Sequence, residues 1–237
     1  TAAVTDAVLA TGAAAARQHL PGFLGLHLEG PHLSQTRKGA HDPALIRPMD
    51  EADLVRLERA RASLPHLLVT VATESVTPEQ IARLVKAGIL VSLGHTDASF
   101  EAVAAAVRAG ASMATHLFNA MSQIGNREPG LVGATLHHGA MSAGLIADGI
   151  HVHPATLAMA RRTKQGPGRI FLVSDSMSQA GTDLKSFQLN GRTIHRRDGA
   201  LRLDDGTLAG ADLTLDAAVR YAHVDLGLDL AEGFRVA

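Results

Sequence analysis

The sequence predicts an α/β chain folded as a (β/α)8 barrel of parallel strands, and two observations carry that expectation. Apolar runs of strand length alternate with helix-length stretches that open on a capping residue and close on glycine. Four of the runs stop on a side chain able to bind a metal or a proton: 22–29 at Glu29, 89–95 at His95, 113–116 at His116 and 170–175 at Asp175. In such barrels the chemistry sits where parallel strands end, so these four ends would open on one mouth.

The elements follow in order. Ala2 to Ala16 is Ala-rich with Asp6 inside it and reads as an amphipathic helix. Strands are expected at 22–29, 67–73, 89–94, 112–116, 142–147 and 170–174. Helices are clearest from Pro78 to Ala87, where Pro78 suits a first turn after Thr77, and from Ser99 to Ala109; Gly88 and Gly110 close them. The segment 187–208 differs, because Asn190-Gly191, Asp198-Gly199 and Asp205-Gly206 punctuate short apolar runs. That is the pattern of antiparallel hairpins inserted after the last barrel strand. A helix from Thr214 to Ala222 follows. Six strands against the eight of a complete barrel predict one domain over 1–237 that lacks its first two strands. Thr1 is not an initiator Met, so the chain is expected to begin inside a longer gene product.

Composition narrows the function. With 237 residues, 46% of them apolar, the chain can bury a sizeable core. A net charge of -1 with no basic block argues against nucleic acid and anionic membrane as partners and leaves small molecules as the default. No cysteine is present, so any metal would rest on His, Asp and Glu. No signal or membrane segment stands in the chain, which predicts a cytoplasmic location.

Each candidate has a plain structural reading. Glu29 shares a strand face with His27 and could be a buried carboxylate paired with an arginine. His95 and His116 could be satisfied core histidines, and Asp175 a helix N-cap. Together at parallel-strand ends, Glu29, His95 and His116 make the ligand pattern of a catalytic divalent site, with Asp175 as a proton shuttle beside it. Glu74 falls at another strand end, where a structural ion pair is expected.

The segments His27-Leu28-Glu29-Gly30-Pro31, Lys38-Gly39-Ala40-His41, Leu93-Gly94-His95-Thr96, Thr115 to Met121, Arg127-Glu128-Pro129-Gly130, Ala147 to His151 and Val173-Ser174-Asp175 resemble, in this order, the N-acetylglucosamine-6-phosphate deacetylases of the amidohydrolase superfamily. The resemblance covers about residues 20 to 220. It implies hydrolysis of N-acetylglucosamine 6-phosphate to glucosamine 6-phosphate and acetate. It also implies Glu29, His95 and His116 as ligands of a divalent metal, zinc foremost, with iron, manganese and cobalt as alternatives. Asp175 matches the acid/base. His151 matches a histidine that contacts the sugar and the acetamide carbonyl, and Ala40 with His41 a sugar-binding loop. Asn119 and Ala120 match phosphate contacts, and Leu208 a backbone position that closes over the ligand. Arg127 matches an arginine that reaches the neighbouring subunit's substrate in family homodimers.

The chain departs from that family in three ways. It has no His-x-His on a first strand, no small β-domain built from both chain ends, and His32 where an aromatic residue is usual. Two alternatives therefore stand beside the deacetylase: an amidohydrolase of a related N-acyl sugar, and an inactive fragment that only binds metal or sugar.

Overall fold

The computed structural model describes residues 1–237. Helix α1 (Ala2–Arg17) leads into β1 (Leu26–Glu29). Five further parallel strands alternate with helices: α2 (Glu51–Arg61), β2 (Leu67–Val71), α3 (Pro78–Lys86), β3 (Leu90–Leu93), α4 (Phe100–Arg108), β4 (Met113–Ala114), α5 (Gly130–His137), β5 (Ser142–Leu145), α6 (Pro154–Thr163) and β6 (Ile170–Leu172). The strands pair in chain order, β1 through β6. His27, Ser92, Thr115, Gly144 and Phe171, from five of the six strands or their ends, line one cavity, so the sheet is curled around a common interior. Within the chain it stays open, with β1 and β6 as its edges.

Local chemistry explains the helices. Thr77 and Gln80 form a reciprocal capping box before α3, with Pro78 at the first turn, and Ser99 Oγ accepts from the Ala102 N–H at the start of α4. The apolar faces of α3, α4, α5 and α6 contribute Ile81, Leu84, Val103, Leu131 and Leu157 to one core cluster with Val69, Val71, Val91 and Leu93 of the sheet. Burying each large aliphatic side chain contributes about 1.5–3 kcal/mol, so truncating a fully buried one such as Leu84 to Ala costs about 2–5 kcal/mol.

Strand register sets the height of the site. Leu93 pairs with Ala114, and His95 and His116 each stand two residues further on, so both rings emerge at one level. Gly94 is required there, since a Cβ on it would lie 2.9 Å from Thr115 Cβ and 3.0 Å from Thr70 Cγ2. Below the rings lies a hydroxyl layer: His27 Nε2 meets Thr70 Oγ1 at 2.7 Å, Thr70 meets Thr115 Oγ1 at 2.7 Å, and Thr115 meets Ser92 Oγ at 2.6 Å.

The expected insertion is larger than 187–208. Four strands, β7 (Ser186–Leu189), β8 (Arg192–Arg197), β9 (Ala200–Arg202) and β10 (Leu208–Ala211), form an antiparallel sheet in the order β10-β9-β8-β7. Asn190-Gly191 and Asp198-Gly199 have positive φ at both residues, the type I′ geometry that two-residue hairpins favour. The sheet has its own core of Ile194, Leu201, Leu203 and Ala209, and a bridge between Ser176 and Ala211 ties it to the segment after β6. Two helices, α7 (Leu215–Val224) and α8 (Leu230–Arg235), complete the chain. The first expected strand is also shorter than read, because 22–25 lies outside β1. None of the helices is long and apolar enough to cross a membrane.

Candidate active site

The turns that follow the strands leave the β conformation abruptly. His95, His116 and Asp175 have φ of 47°, 30° and 49°, and Ala120 has 47°. Left-handed backbone at non-glycine residues costs about 1–3 kcal/mol each, and such strain clusters at functional sites. Here it occurs at the strand ends that carry the candidate ligands.

Three ligand atoms converge. Glu29 Oε1 lies 3.1 Å from His95 Nε2 and 2.9 Å from His116 Nε2, and the two Nε2 atoms are 3.1 Å apart. No other group of three acidic or imidazole side chains in the chain converges in this way. His95 donates its Nδ1 proton to the Arg37 carbonyl at 2.8 Å, which leaves Nε2 as a lone-pair donor. His116 Nδ1 is buried without a partner. Burial works against charge on His116, but the Glu29 carboxylate raises its pKa to about 9. Burial likewise opposes ionisation of Glu29, yet the His116 and His95 rings hold it well below the ordinary carboxylate range. A carboxylate and two facing imidazole nitrogens this close are what a divalent cation would bridge, and the donor set suits a borderline metal.

The three candidate ligands open onto a cavity of about 710 Å³. Asp175, Ala40, His41, Asn119, Ala120, His151 and Leu208 line it too. Burial raises the Asp175 pKa, and its carboxylate makes no hydrogen bond to the protein, so it is free to exchange a proton. The His41 ring packs edge-on against His95, centroids 4.7 Å apart, and burial lowers its pKa to about 4. Asn119 Nδ2 donates to the His116 and Leu117 carbonyls at 3.3 and 3.4 Å, while its neighbour Ala120 turns toward the cavity. Asp148 accepts from His151 Nδ1 at 2.6 Å, and His151 Nε2 meets the Gly210 carbonyl at 3.1 Å.

Arg127 is the one expected site residue that the structure leaves outside this cavity; it is exposed. Glu74 corrects the expectation of an ion pair. It accepts from the Asp97 N–H at 2.6 Å and from the Thr96 hydroxyl, clamping the turn behind His95. Several wall residues escaped the sequence reading. Thr36, Arg37, Met177 and Asn190 line the cavity, and Arg192 donates to the Ala40 carbonyl across 152 residues of chain. No motif marks them as site residues, because each reaches the site from a loop or from the second sheet; Asn190 is legible only as part of a hairpin turn. Asp148 could have been found, since an acceptor three residues before a turn histidine is a local pattern.

Comparison with known proteins follows the same outline. An N-acetylgalactosamine-6-phosphate deacetylase of Shewanella sp. (strain ANA-3) is 44% identical over 218 residues, covering 92% of this chain and 55% of that protein. An N-acetylglucosamine-6-phosphate deacetylase of Bacillus subtilis (strain 168) is 37% identical over 199 residues, covering 84% of this chain and 50% of that one. The crystal structure of N-acetylglucosamine-6-phosphate deacetylase from Pasteurella multocida superposes with a TM-score of 0.87 at 35% identity, over 95% of this chain and 59% of that chain. The chain thus spans about half the length of the curated relatives it matches. No protein-family model matches it.

Proposed function

We propose, for a chain that belongs to the N-acetylglucosamine-6-phosphate deacetylase family of amidohydrolases, that this site hydrolyses the acetamide of N-acetylglucosamine 6-phosphate to glucosamine 6-phosphate and acetate. The observation that carries the reading is the convergence of Glu29, His95 and His116 beside an unpartnered Asp175 on one cavity.

Glu29, His95 and His116 would hold the divalent metal, with zinc foremost among the candidates. A cation held there would acidify water and stabilise negative charge developing on the acetamide oxygen. Asp175 accepts the proton of the attacking water and returns it to the departing amine nitrogen, a task for which a carboxylate raised by burial is suited. His151 faces the acetamide carbonyl; one such donor is worth roughly 3–4 kcal/mol in other hydrolases. His41 and the Ala40 backbone hold the sugar, Leu208 closes over it, and Asn119 with the Ala120 N–H meets the phosphate. Arg127, exposed and clear of its own cavity, reaches the phosphate in the neighbouring subunit of a homodimer. The unmatched half of the relatives would supply the two remaining barrel strands and a small β-domain. A phosphorylated sugar as substrate fits a cytoplasmic enzyme.

The test is metal content together with amine release from N-acetylglucosamine 6-phosphate, for the protein and for Glu29→Ala. Metal and turnover in the first, both lost in the second, support the reading. A folded, metal-loaded protein without turnover would replace it by binding alone. One observation favours a second substrate, since the 44% identical relative is named for the C4 epimer. A higher kcat/KM on N-acetylgalactosamine 6-phosphate in the same assay would select that sugar.

A further inference from the structure

The turn after β5 is closed on itself by one carboxylate. Asp148 Oδ1 accepts from the backbone N–H groups of Ile150 at 2.8 Å and His151 at 2.9 Å, while Oδ2 accepts from His151 Nδ1 at 2.6 Å. The two side chains are 7% and 5% exposed, and Asp148 has no other ionic partner. Such a carboxylate, surrounded by donors from a single turn, does one job for the backbone and another for the ring. Oδ1 shapes the turn in the manner of an Asx motif. Oδ2 does nothing for the backbone, and its only partner is the imidazole.

The far side of that imidazole matters as much. His151 Nε2 lies 3.1 Å from the Gly210 carbonyl, so both ring nitrogens face oxygen acceptors. An acceptor stands at each end of the ring, and Gly210, the partner of Nε2, lines the cavity together with His151. Asp175 lines the same cavity. We infer that Asp148 is a positioning residue of this site: by accepting from Nδ1 it fixes the orientation of the His151 ring and the direction in which Nε2 faces the substrate carbonyl. The inference rests on the deacetylase reading, in which His151 meets the acetamide oxygen.

Asn at 148 separates the two jobs. Its carbonyl oxygen can still accept from the Ile150 and His151 N–H groups, but its NH2 faces Nδ1 with a donor where an acceptor stood. The ring then accepts at Nδ1, and the carboxylate no longer fixes its orientation. Asp148→Asn is expected to lower kcat about 10- to 100-fold, with KM changing less than about threefold and metal content retained. In a His151→Ala background the same substitution should change kcat by less than about twofold, because the residue acts through the ring. Nitrogen-15 NMR of histidine-labelled protein should show His151 Nδ1 protonated in the wild type and unprotonated in Asp148→Asn. Wild-type kcat in Asp148→Asn, an undiminished loss in the His151→Ala background, or an unprotonated Nδ1 in the wild type would each overturn the assignment. Absence of turnover by the metal-loaded wild-type protein would instead defeat the deacetylase reading, and the NMR result would still decide whether Asp148 governs the ring.

Discussion

The carbonyl of Arg37 accepts the Nδ1 proton of His95 at 2.8 Å, and so decides which nitrogen of that ring is left for a metal. Arg37 is held in turn: its guanidinium meets Asp97 Oδ1 at 2.7 Å, and the Asp97 N–H donates to Glu74 at 2.6 Å. A ring whose outer nitrogen is tied to a braced loop keeps one tautomer and one direction.

Glu74→Ala removes the acceptor for both Thr96 and Asp97 without touching a ligand. Metal affinity measured by calorimetry is expected to fall about 10- to 100-fold while the circular dichroism spectrum is unchanged. Unaltered affinity would mean that the turn behind His95 holds without it.

Asp175→Asn keeps the shape of the carboxylate but cannot take a proton. Hydrolysis should drop by about 10²-fold or more, with metal stoichiometry retained. Turnover near the wild-type rate would refute the acid/base role.

Arg127→Ala should raise KM for the phosphorylated sugar about tenfold, near 1.4 kcal/mol, and leave an unphosphorylated analogue unaffected. Mixing this variant with Asp175→Asn and allowing subunits to exchange should recover activity at substrate concentrations below the raised KM, since one of the two active sites of the mixed dimer joins an intact Asp175 to a partner's arginine. No recovery would place Arg127 outside the neighbouring site.

Asp53 predicts an acid limit to stability. Burial opposes its ionisation, but the Arg47 fork, with Nη2–Oδ1 at 2.6 Å, lowers its pKa from 3.8 to about 2. A depressed carboxylate contributes its stability fully above the unfolded pKa and loses it as pH falls through the folded one. Roughly 2 kcal/mol should therefore disappear between about pH 4 and pH 2. Urea titrations across that range should show the loss in the wild type, and a smaller one in Asp53→Asn, which starts less stable at pH 7.

What the residues determine by themselves is local. Strand-length apolar runs ending in Glu29, His95, His116 and Asp175, Thr77-Pro78 and Ser99 at helix starts, and Asn190-Gly191 and Asp198-Gly199 at hairpin turns are all legible, because periodicity and capping act within a few residues. The candidate ligand triad was legible as a set of strand ends; its distances were not. Those depend on register, which aligns Leu93 with Ala114 and so lifts two rings from different strands to one height. Tertiary structure alone decided that Glu74 accepts backbone and hydroxyl protons instead of an ion pair, that Arg192 crosses from the second sheet to Ala40, and that Arg127 stays outside its own cavity. The physical reason is that a polar side chain takes its role from whichever donor or acceptor lies within about 3 Å of it, and here those partners come from distant parts of the chain.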